Sequence, residues 1–415
     1  QHPSIGFCGV RLDISDFPTR HNYLLGLSQS KFELILADWA KELGVPIMRS
    51  HEVTGFTQDD HGVTIEVSDG QSLRADYLVG CDGGRSLVRK IADIDFPGLD
   101  ASISYIIAEV KMDEEPKFGT RPEGGGIGKA ADGESIGVVV GEKAVKHADE
   151  PSMDELREAL ISTYGTDFGL RSINWISRFS DATRQAASYR NGRVLLAGDA
   201  AHIHPPQGGQ GLGTGLQDAV NLGWKLAQVV NKTSPESLLD SYHAERHPVG
   251  ARVLQNTRAQ IVMSKPDGQH AALREIMTEL LGLDESRKHI VGMLSGLAIH
   301  YDLGEGHPLL GRRMPDLDLQ TADGPTRMFS LLHDAKAVLL NLGEADGFDI
   351  SAWSNRVRLV TATYEGRWEL PVLGEVTSPS AVLIRPDGYV AWTGHVADPE
   401  LPQVLTTWFG VATTA

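Results

Sequence analysis

Cysteine is nearly absent from this chain of 415 residues, and its scarcity limits where the protein works and what holds it together. The two cysteines, Cys8 and Cys81, are too few for a disulfide framework. The sequence also lacks a signal peptide and any apolar run of about 18 residues, the length that a membrane-spanning helix needs. We therefore expect a cytoplasmic protein without a membrane partner.

Positive charge is also in short supply. Lysine and arginine number 38 against 55 aspartates and glutamates, which gives a formal net charge of −17. Nucleic acids and anionic membranes are themselves negative, so this balance argues against both as partners. The length is sufficient for two or three domains with cores of their own.

The most informative stretch is a short apolar strand followed by Gly-Asp, two prolines and four glycines. Val194–Ala197 is uncharged and lies between glycines, as is typical of a buried strand. Asp199 follows at its carboxyl end, where open α/β sheets bind ligands. From Leu212 onward, apolar and small residues recur with a helical period, so the glycines precede a helix. Free N–H groups there attract negative charge, and we expect an anionic group against Gly209–Gly213. A Gly-rich turn with a solvated aspartate is the simpler alternative.

The segment Val79–Lys90 repeats this logic, because a strand ends in Asp82 and glycines then lead into a helix at Ser86. Two such units suggest one ligand with two polar regions. Before both units, the patterns predict a helix over 31–43, a strand over 45–48 and a hairpin turning at Asp69-Gly70. The run 243–248 is expected to end a helix with ordinary caps and ion pairs.

Val79–Lys90 resembles the Asp-Gly motif, and Leu196–Leu212 the Gly-Asp motif, of the single-component FAD-dependent aromatic hydroxylases. The likeness covers nearly the whole chain and looks closest to the three-domain subgroup that acts on polycyclic polyketides and antibiotics. The further segments that carry it are Ala182–Gln185, Asp218–Leu226, Ser241–Val249, Leu310–Pro315 and Ile384–Trp392.

This resemblance implies a mixed α/β fold of the p-hydroxybenzoate hydroxylase type. An FAD/NAD(P)-binding domain would carry an inserted β-sheet substrate domain and be followed by a thioredoxin-like domain without Cys-x-x-Cys. The implied ranges are 1–28 for strands of the substrate domain, 29–94 and 180–265 for the FAD-binding domain, 95–179 for the inserted sheet, 266–312 for a helical connection and 313–415 for the thioredoxin-like domain.

The resemblance also assigns roles in cofactor binding. Asp199 would bind the ribityl chain of FAD, Gly198 would lie beside the pyrophosphate, and Pro205 would border the flavin where substrate sits. Four residues would present backbone to the pyrimidine edge of the flavin: Gly209, Gly211, Leu212 and Gly213.

Three residues outside that loop also match family positions that contact cofactor. Gln29 would contact FAD, the backbone of Val53 would meet the adenine, and Asp82 would lie near the pyrophosphate and serve NADPH. Asparagine is common in relatives where this chain has Gly213, but a contact through the backbone survives that change.

The implied reaction uses NADPH to reduce FAD, after which oxygen adds at flavin C4a and the hydroperoxide hydroxylates a large aromatic polyketide or antibiotic. A helix N-terminus suits this chemistry, since reduced flavin is negative at its pyrimidine end. No protein residue is assigned a catalytic role. A Baeyer–Villiger outcome is a close variant, and the context is biosynthesis or inactivation of an antibiotic.

Two histidines, His202 and His204, flank the glycine loop. Proton transfer is one interpretation, but packing and hydrogen bonding within the loop is favoured. A metal site is not predicted, because no third ligand is near. Arg184 and Arg190 are expected to be solvated or in ion pairs.

The family's opening strand and Gly-x-Gly-x-x-Gly turn do not occur near Gln1, and we expect residues to precede it in the natural protein. The alternative is a flavin-free or truncated protein that sequesters an aromatic ligand. The expected assembly is a monomer or a homodimer.

Overall fold

The chain forms a mixed α/β fold, and the computed structural model describes residues 1–121, 125–130, 133–146, 150–263, 268–343, 347–396 and 398–413. In chain order the strands are β1 Ser4–Phe7, β2 Val10–Asp13, β3 Val53–Asp59, β4 Gly62–Val67, β5 Ser72–Ala75, β6 Leu78–Gly80, β7 Gly98–Leu99, β8 Ser104–Met112, β9 Gly119–Thr120, β10 Gly126–Lys129, β11 Ile136–Gly141, β12 Leu170–Ser180, β13 Thr183–Gln185, β14 Arg190–Asn191, β15 Val194–Leu196, β16 His202–Ile203, β17 Asp318–Thr321, β18 Gly324–Arg327, β19 Ala337–Asn341, β20 Val357–Thr363, β21 Glu369–Leu370, β22 Gly374–Glu375, β23 Ala381–Ile384 and β24 Val390–Gly394. The helices are α1 Gln29–Glu42, α2 Leu87–Ile91, α3 Met153–Tyr164, α4 Gly211–Val230, α5 Asp240–Met263, α6 Gly268–Leu281, α7 Asp284–Ser295 and α8 Leu401–Phe409. None of these helices is long and apolar enough to cross a membrane.

The first hairpin packs on helices from much later in the chain. β1 and β2 pair antiparallel, with Phe7 opposite Val10, through a tight turn at Cys8-Gly9 in which both residues have positive φ. The inward side chains of the hairpin share a hydrophobic core with Val291 and Leu294 of α7. The beginning of the chain therefore lies against the helices that follow the glycine loop.

Helix α1 confirms the predicted helix and ends before Gly44, whose φ is +72°. The predicted strand over 45–48 is wrong, since this segment has no regular secondary structure and pairs with no strand in the described parts of the chain. Its first N–H, at Val45, donates to the carbonyl of Ala40 and so closes the helix. An extended segment becomes a strand only where a neighbour takes its backbone hydrogen bonds.

The two predicted strand-Asp units lie side by side. Strands β3, β4 and β5 form an antiparallel meander that leads into β6, with Gly70 at φ +84° in the predicted turn. β6 then pairs parallel with β15, with Val79 opposite Leu195. All three residues of β15 are fully buried. Parallel pairing brings the carboxyl ends of both strands to one edge.

A five-stranded antiparallel sheet lies between these two strands in the sequence. Its order is β12-β8-β11-β10-β9, and α3 covers one face with Leu156 and Leu160. α3 begins with a capping box in which Ser152 and Glu155 exchange hydrogen bonds. The sheet has a hydrophobic core of its own.

The C-terminal region contains a six-stranded mixed sheet, ordered β18-β17-β20-β19-β23-β24, and α8. β19 and β23 are fully buried apart from Asn341, which is 2% exposed, and their alternate residues supply two different hydrophobic cores. One of those cores includes Leu222 and Trp224 of α4. The C-terminal region therefore packs directly on the helix that follows the glycine loop.

Helix α5 corrects one expectation. The run 243–248 does not end a helix but lies inside α5, with Pro248 in the helix interior. Glu245 and Arg246 within this run are buried at 6% and 0% exposure. Their contacts with neighbouring elements outweigh the local tendency of proline to end a helix.

Candidate functional site

The ends of β6 and β15 are joined by backbone and side-chain hydrogen bonds. The Ala197 N–H donates to the Gly80 carbonyl at 3.0 Å. Arg89 of α2, only 4% exposed, donates to the carbonyl of Ala200 and to that of Gly84, each at 2.8 Å. The two strand-Asp units therefore form one continuous surface.

The Gly-Asp turn is a short 3-10 turn over Gly198–Ala200 in which Gly198 has a φ of +60°. Left-handed backbone of this kind favours glycine. The turn leaves the side chain of Asp199 exposed at the carboxyl edge of the sheet. An exposed carboxylate in this position can accept hydrogen bonds from hydroxyl groups of a ligand.

Asp218, fully buried on α4, holds the turn from behind. One carboxylate oxygen accepts from the Gly198 N–H at 3.1 Å and lies 2.7 Å from His202 Nε2, and the other accepts from Arg246 Nε at 2.7 Å. Burial disfavours the charged carboxylate, but His202 and Arg246 outweigh that effect and lower the Asp218 pKa. His202 thus packs and bonds within the loop, as expected.

The N-terminus of α4 offers backbone donors without a side-chain cap. Gly208 and Gly209 have φ of +79° and +64°, and the side chain of Gln210 makes no capping bond. No atom lies within 4 Å of where a Cβ would stand on Gly209 or Gly213. A ligand can therefore approach the first helical N–H groups closely, and the helix dipole favours a negative group there.

His204 adds an acceptor beside these donors. Its Nδ1 lies 2.8 Å from the Pro205 carbonyl and therefore donates to it, while its buried Nε2 has no partner in the described structure. Burial lowers the His204 pKa, which keeps the ring neutral and Nε2 available. A Cβ on Gly211 would lie 3.7 Å from this nitrogen. These groups fit the pyrimidine edge of a flavin, in which carbonyl oxygens flank an N–H.

The other predicted residues have well-defined local roles. Asp82 accepts from the Ser86 hydroxyl at 2.5 Å and from the Val88 N–H at 3.0 Å, so it caps α2. Gln29 begins α1 and donates to Glu33. Val53 begins β3 opposite Val67. Pro205 is buried within the loop.

A cavity of about 770 Å³ borders the glycine loop. We call it the loop cavity. Its lining comes from the beginning of the chain (2, 5 and 24–26), the loop and start of α4 (208–210, 213, 214 and 217), α5 (244, 245, 248, 249, 252 and 253), α7 (289 and 293–295) and the segment after α7 (296 and 298–302). The size is that of a pocket for a drug-sized ligand. None of its lining residues belongs to the inserted sheet, so a role for that sheet in substrate binding stays a prediction.

Arg184 and Arg190 form ion pairs, as expected. Arg184 pairs with Asp100, and Arg190 pairs with Glu236 at 2.6 Å and Asp240 at 2.7 Å. The sequence interpretation missed the buried group behind the site, namely Asp218, Glu245 and Arg246. No local signal pointed to Asp218, because it lies on the face of α4 opposite Leu216 and Val220, two apolar side chains that are 40% and 47% exposed.

Two parallel strand ends with aspartates, bordering an uncapped helix N-terminus, have the polarity that a cofactor with both hydroxyl-rich and anionic parts requires. The FAD binding domain family matches residues 7–257, and the aromatic-ring hydroxylase C-terminal family matches residues 307–412. The chain belongs to this family of FAD-dependent aromatic hydroxylases.

Relatives and solved structures agree with that assignment. The chain is 43% identical to the 12-dehydrotetracycline 5-monooxygenase/anhydrotetracycline 6-monooxygenase of Streptomyces rimosus, over 97% of this chain and 84% of that protein. It is 42% identical to the rifampicin monooxygenase of Streptomyces venezuelae, over 95% of this chain and 81% of that protein. The solved structure of the anhydrotetracycline hydroxylase OxyS from Streptomyces rimosus superimposes with a TM-score of 0.91 and 41% identity, over 99% of this chain and 86% of that one. The protein is therefore an FAD-dependent monooxygenase, and the flavin-free alternative is not supported.

Proposed function

We propose that the enzyme uses NADPH and O₂ to hydroxylate a polycyclic aromatic polyketide or antibiotic. Support for the substrate class comes from the relatives, which are named for anhydrotetracycline and rifampicin. The observation that carries the proposal is the uncapped N-terminus of α4 beside the loop cavity of about 770 Å³. A donor array for the cofactor and room for a large ligand thus adjoin each other.

The cofactor residues take the roles that the family resemblance implies. Asp199 accepts hydrogen bonds from the ribityl hydroxyls, and Gly198 lies beside the pyrophosphate. Gly209, Gly211, Leu212 and Gly213 present backbone to the pyrimidine edge, where the helix dipole offsets negative charge. The Gly209 N–H donates to the Pro206 carbonyl at 3.0 Å, so the free donors are those of the first turn of α4. Gln29, Val53 and Asp82 contact the remaining parts of FAD, and Asp82 also serves NADPH.

When bound, FAD supplies the activation of oxygen, and the chain supplies orientation and exclusion of water. Pro205 borders the ring where substrate sits. Asp218 and Arg246 keep the Gly-Asp turn and α4 in fixed positions. No side chain is required as a base, and we propose that residues 95–179 provide the sheet on the substrate side.

The test is a turnover assay with FAD, NADPH and anhydrotetracycline as the probe substrate, followed by further polycyclic phenols. Incorporation of one atom of ¹⁸O from ¹⁸O₂ per NADPH consumed would support the proposal. NADPH oxidation that yields only hydrogen peroxide with every probe would refute the substrate class. Tight binding of a probe without bound flavin or turnover would favour a sequestering protein instead.

A further inference from the structure

We propose that Arg385 and Asp387 of the C-terminal region are positioning residues for the flavin site. They hold α4 and α5 through a continuous group of buried charges that ends at the Gly198 turn. This inference rests on the flavin site proposed above. We call the group the charge network; its members are Asp218, Lys225, Glu245, Arg246, Arg385 and Asp387.

Arg385 lies at the centre of the contact between the C-terminal region and α5. It is fully buried and donates to both carboxylate oxygens of Glu245, at 2.5 and 2.8 Å, and to Asp387 at 2.6 and 3.1 Å. Its guanidinium also lies 4.5 Å from the ring centroid of Trp408 and 5.5 Å from that of Trp224. A planar donor fixed by two carboxylates and two rings allows little relative movement of these elements.

The same carboxylates bind one turn of α4. Asn221 donates to Glu245 at 2.6 Å, and Lys225 donates to the same oxygen at 2.9 Å. The Trp224 indole N–H donates to Asp387 at 3.2 Å. α4 is thus attached to both α5 and the C-terminal region, at a point between its two ends.

The network continues to the flavin side through α5. Arg246, adjacent to Glu245, donates to Asp218 at 2.7 Å and to the Thr214 carbonyl in the first turns of α4 at 3.2 Å. Asp218 in turn accepts from the Gly198 N–H. Hydrogen bonds and one peptide link therefore run from Arg385 to the Gly-Asp turn.

Holding α4 against the C-terminal region does not by itself require buried charges. The network balances three cations against three carboxylates at buried positions, and burial of charge is costly even when the charges are paired. Apolar contacts between α4 and the C-terminal region are already extensive. What paired charges add is a fixed geometry, because removal of one member leaves another buried charge without its partner.

The matched control is Arg356, which joins the C-terminal region to the segment that follows α4. It donates to the carbonyl of Phe409 and to that of Thr233, three residues beyond the end of α4, at 3.2 Å. It has no contact with the charge network in the described structure. Arg356→Met should therefore loosen the same interface at the end that is remote from the flavin.

The experiment compares Arg385→Met, Asp387→Asn, Arg385→Lys and Arg356→Met in the full chain. Flavin-stripped protein is titrated with FAD well below the melting temperature of the least stable variant, and the midpoint potential of bound flavin is measured. We expect Arg385→Met and Asp387→Asn to weaken FAD binding about tenfold and to shift the potential, with partial recovery in Arg385→Lys. Arg356→Met should lower the melting temperature and leave both quantities near the wild-type values.

Equal FAD affinity and potential in Asp387→Asn, Arg356→Met and wild type would overturn the inference. Asp387→Asn retains the Arg385–Glu245 pair, so it provides the answer if Arg385→Met does not fold. Wild-type protein that binds no FAD would refute the proposed flavin site and this inference together. Wild-type protein that binds FAD beside unaffected network variants would refute this inference alone.

Discussion

Gly198 and Gly215 face each other so closely that a Cβ on Gly215 would lie 3.2 Å from the Cα of Gly198. One glycine forms the Gly-Asp turn, and the other lies in the first turns of α4. Glycine at these positions thus serves packing between turn and helix as well as access for a ligand. The position of Asp199 relative to the N–H groups of α4 depends on this close contact.

Gly215→Ala is expected to push α4 away from the Gly198 turn. The added methyl group would cost about 1–3 kcal/mol in the free energy of unfolding, as overpacked sites do, and would weaken FAD binding. Gly223→Ala is the control in the same helix, because its Cβ would meet no atom within 4 Å. That variant should gain up to about 1 kcal/mol. Urea unfolding and FAD titration measure both effects, and equal stability of the two variants would contradict the packing argument.

Asp199→Ala tests the predicted contact with the ribityl chain. The carboxylate is exposed, so its removal should leave the free energy of unfolding nearly unchanged. Loss of a charged acceptor, worth about 1.5–3 kcal/mol, should weaken FAD binding by about tenfold to a hundredfold or slightly more. Asp323→Ala, at an exposed turn of the C-terminal region, is the control. Unchanged flavin affinity in Asp199→Ala would remove Asp199 from the site.

Cys81 lies between Gly80 and Asp82, at the edge where FAD is proposed to bind, and it is exposed. Its side chain reaches solvent, but the surrounding protein atoms still remove part of its hydration, and this desolvation, together with the charges of Asp82 and Asp218, raises the pKa of the thiol. Burial raises the pKa of the other cysteine, Cys8, to about 12, and that thiol donates to the sulfur of Met263. Alkylation at pH 8.5 should therefore modify Cys81 first, and FAD should slow it. Mass spectrometry of the labelled peptides checks this order. Preferential labelling of Cys8, or a rate at Cys81 that ignores FAD, would contradict the proposed site.

Local sequence patterns were sufficient to predict the elements of the candidate site that are formed by consecutive residues. The apolar run before Gly198 predicted β15, and the helical period after Leu212 predicted α4. The repeated strand-Asp unit at Asp82 suggested that both units serve one ligand, and the parallel pairing of β6 with β15 brings their ends together.

The charge network could not be predicted from local sequence patterns. Arg385 and Glu245 are separated by 140 positions, and neither carries a local signal of its partner. Pro248 predicted a helix end, yet α5 continues past it because buried contacts on both sides fix the helix. The segment 45–48 has strand-like composition but lacks a neighbouring strand in the described structure. In each case the local structure depends on contacts with residues that are distant in the sequence, and short-range patterns carry no information about those contacts.

Stability should fall in mild acid because of a pair of histidines. The rings of His243 and His247 lie 4.7 Å apart and pack on Tyr189, and His243 Nδ1 accepts the Tyr189 N–H at 3.2 Å. Burial lowers the pKa of both, and the charge of His243 lowers that of His247 further. Below the unfolded value of about 6.5, the unfolded chain takes up protons that the folded chain does not. The contribution of these two histidines to the free energy of unfolding should therefore be constant above that pH and decrease below it.

The variant His247→Gln isolates this effect. One histidine contributes at most about 1.4 kcal/mol per pH unit to the slope, so urea unfolding between pH 5.5 and 8 should show a shallower decrease in the variant than in wild type. Some decrease should persist, because burial also lowers the pKa of His204 and of His300. His61→Gln, on the exposed turn between β3 and β4, serves as control and should keep the wild-type slope. Identical pH profiles for His247→Gln and wild type would mean that protonation of His247 does not oppose folding.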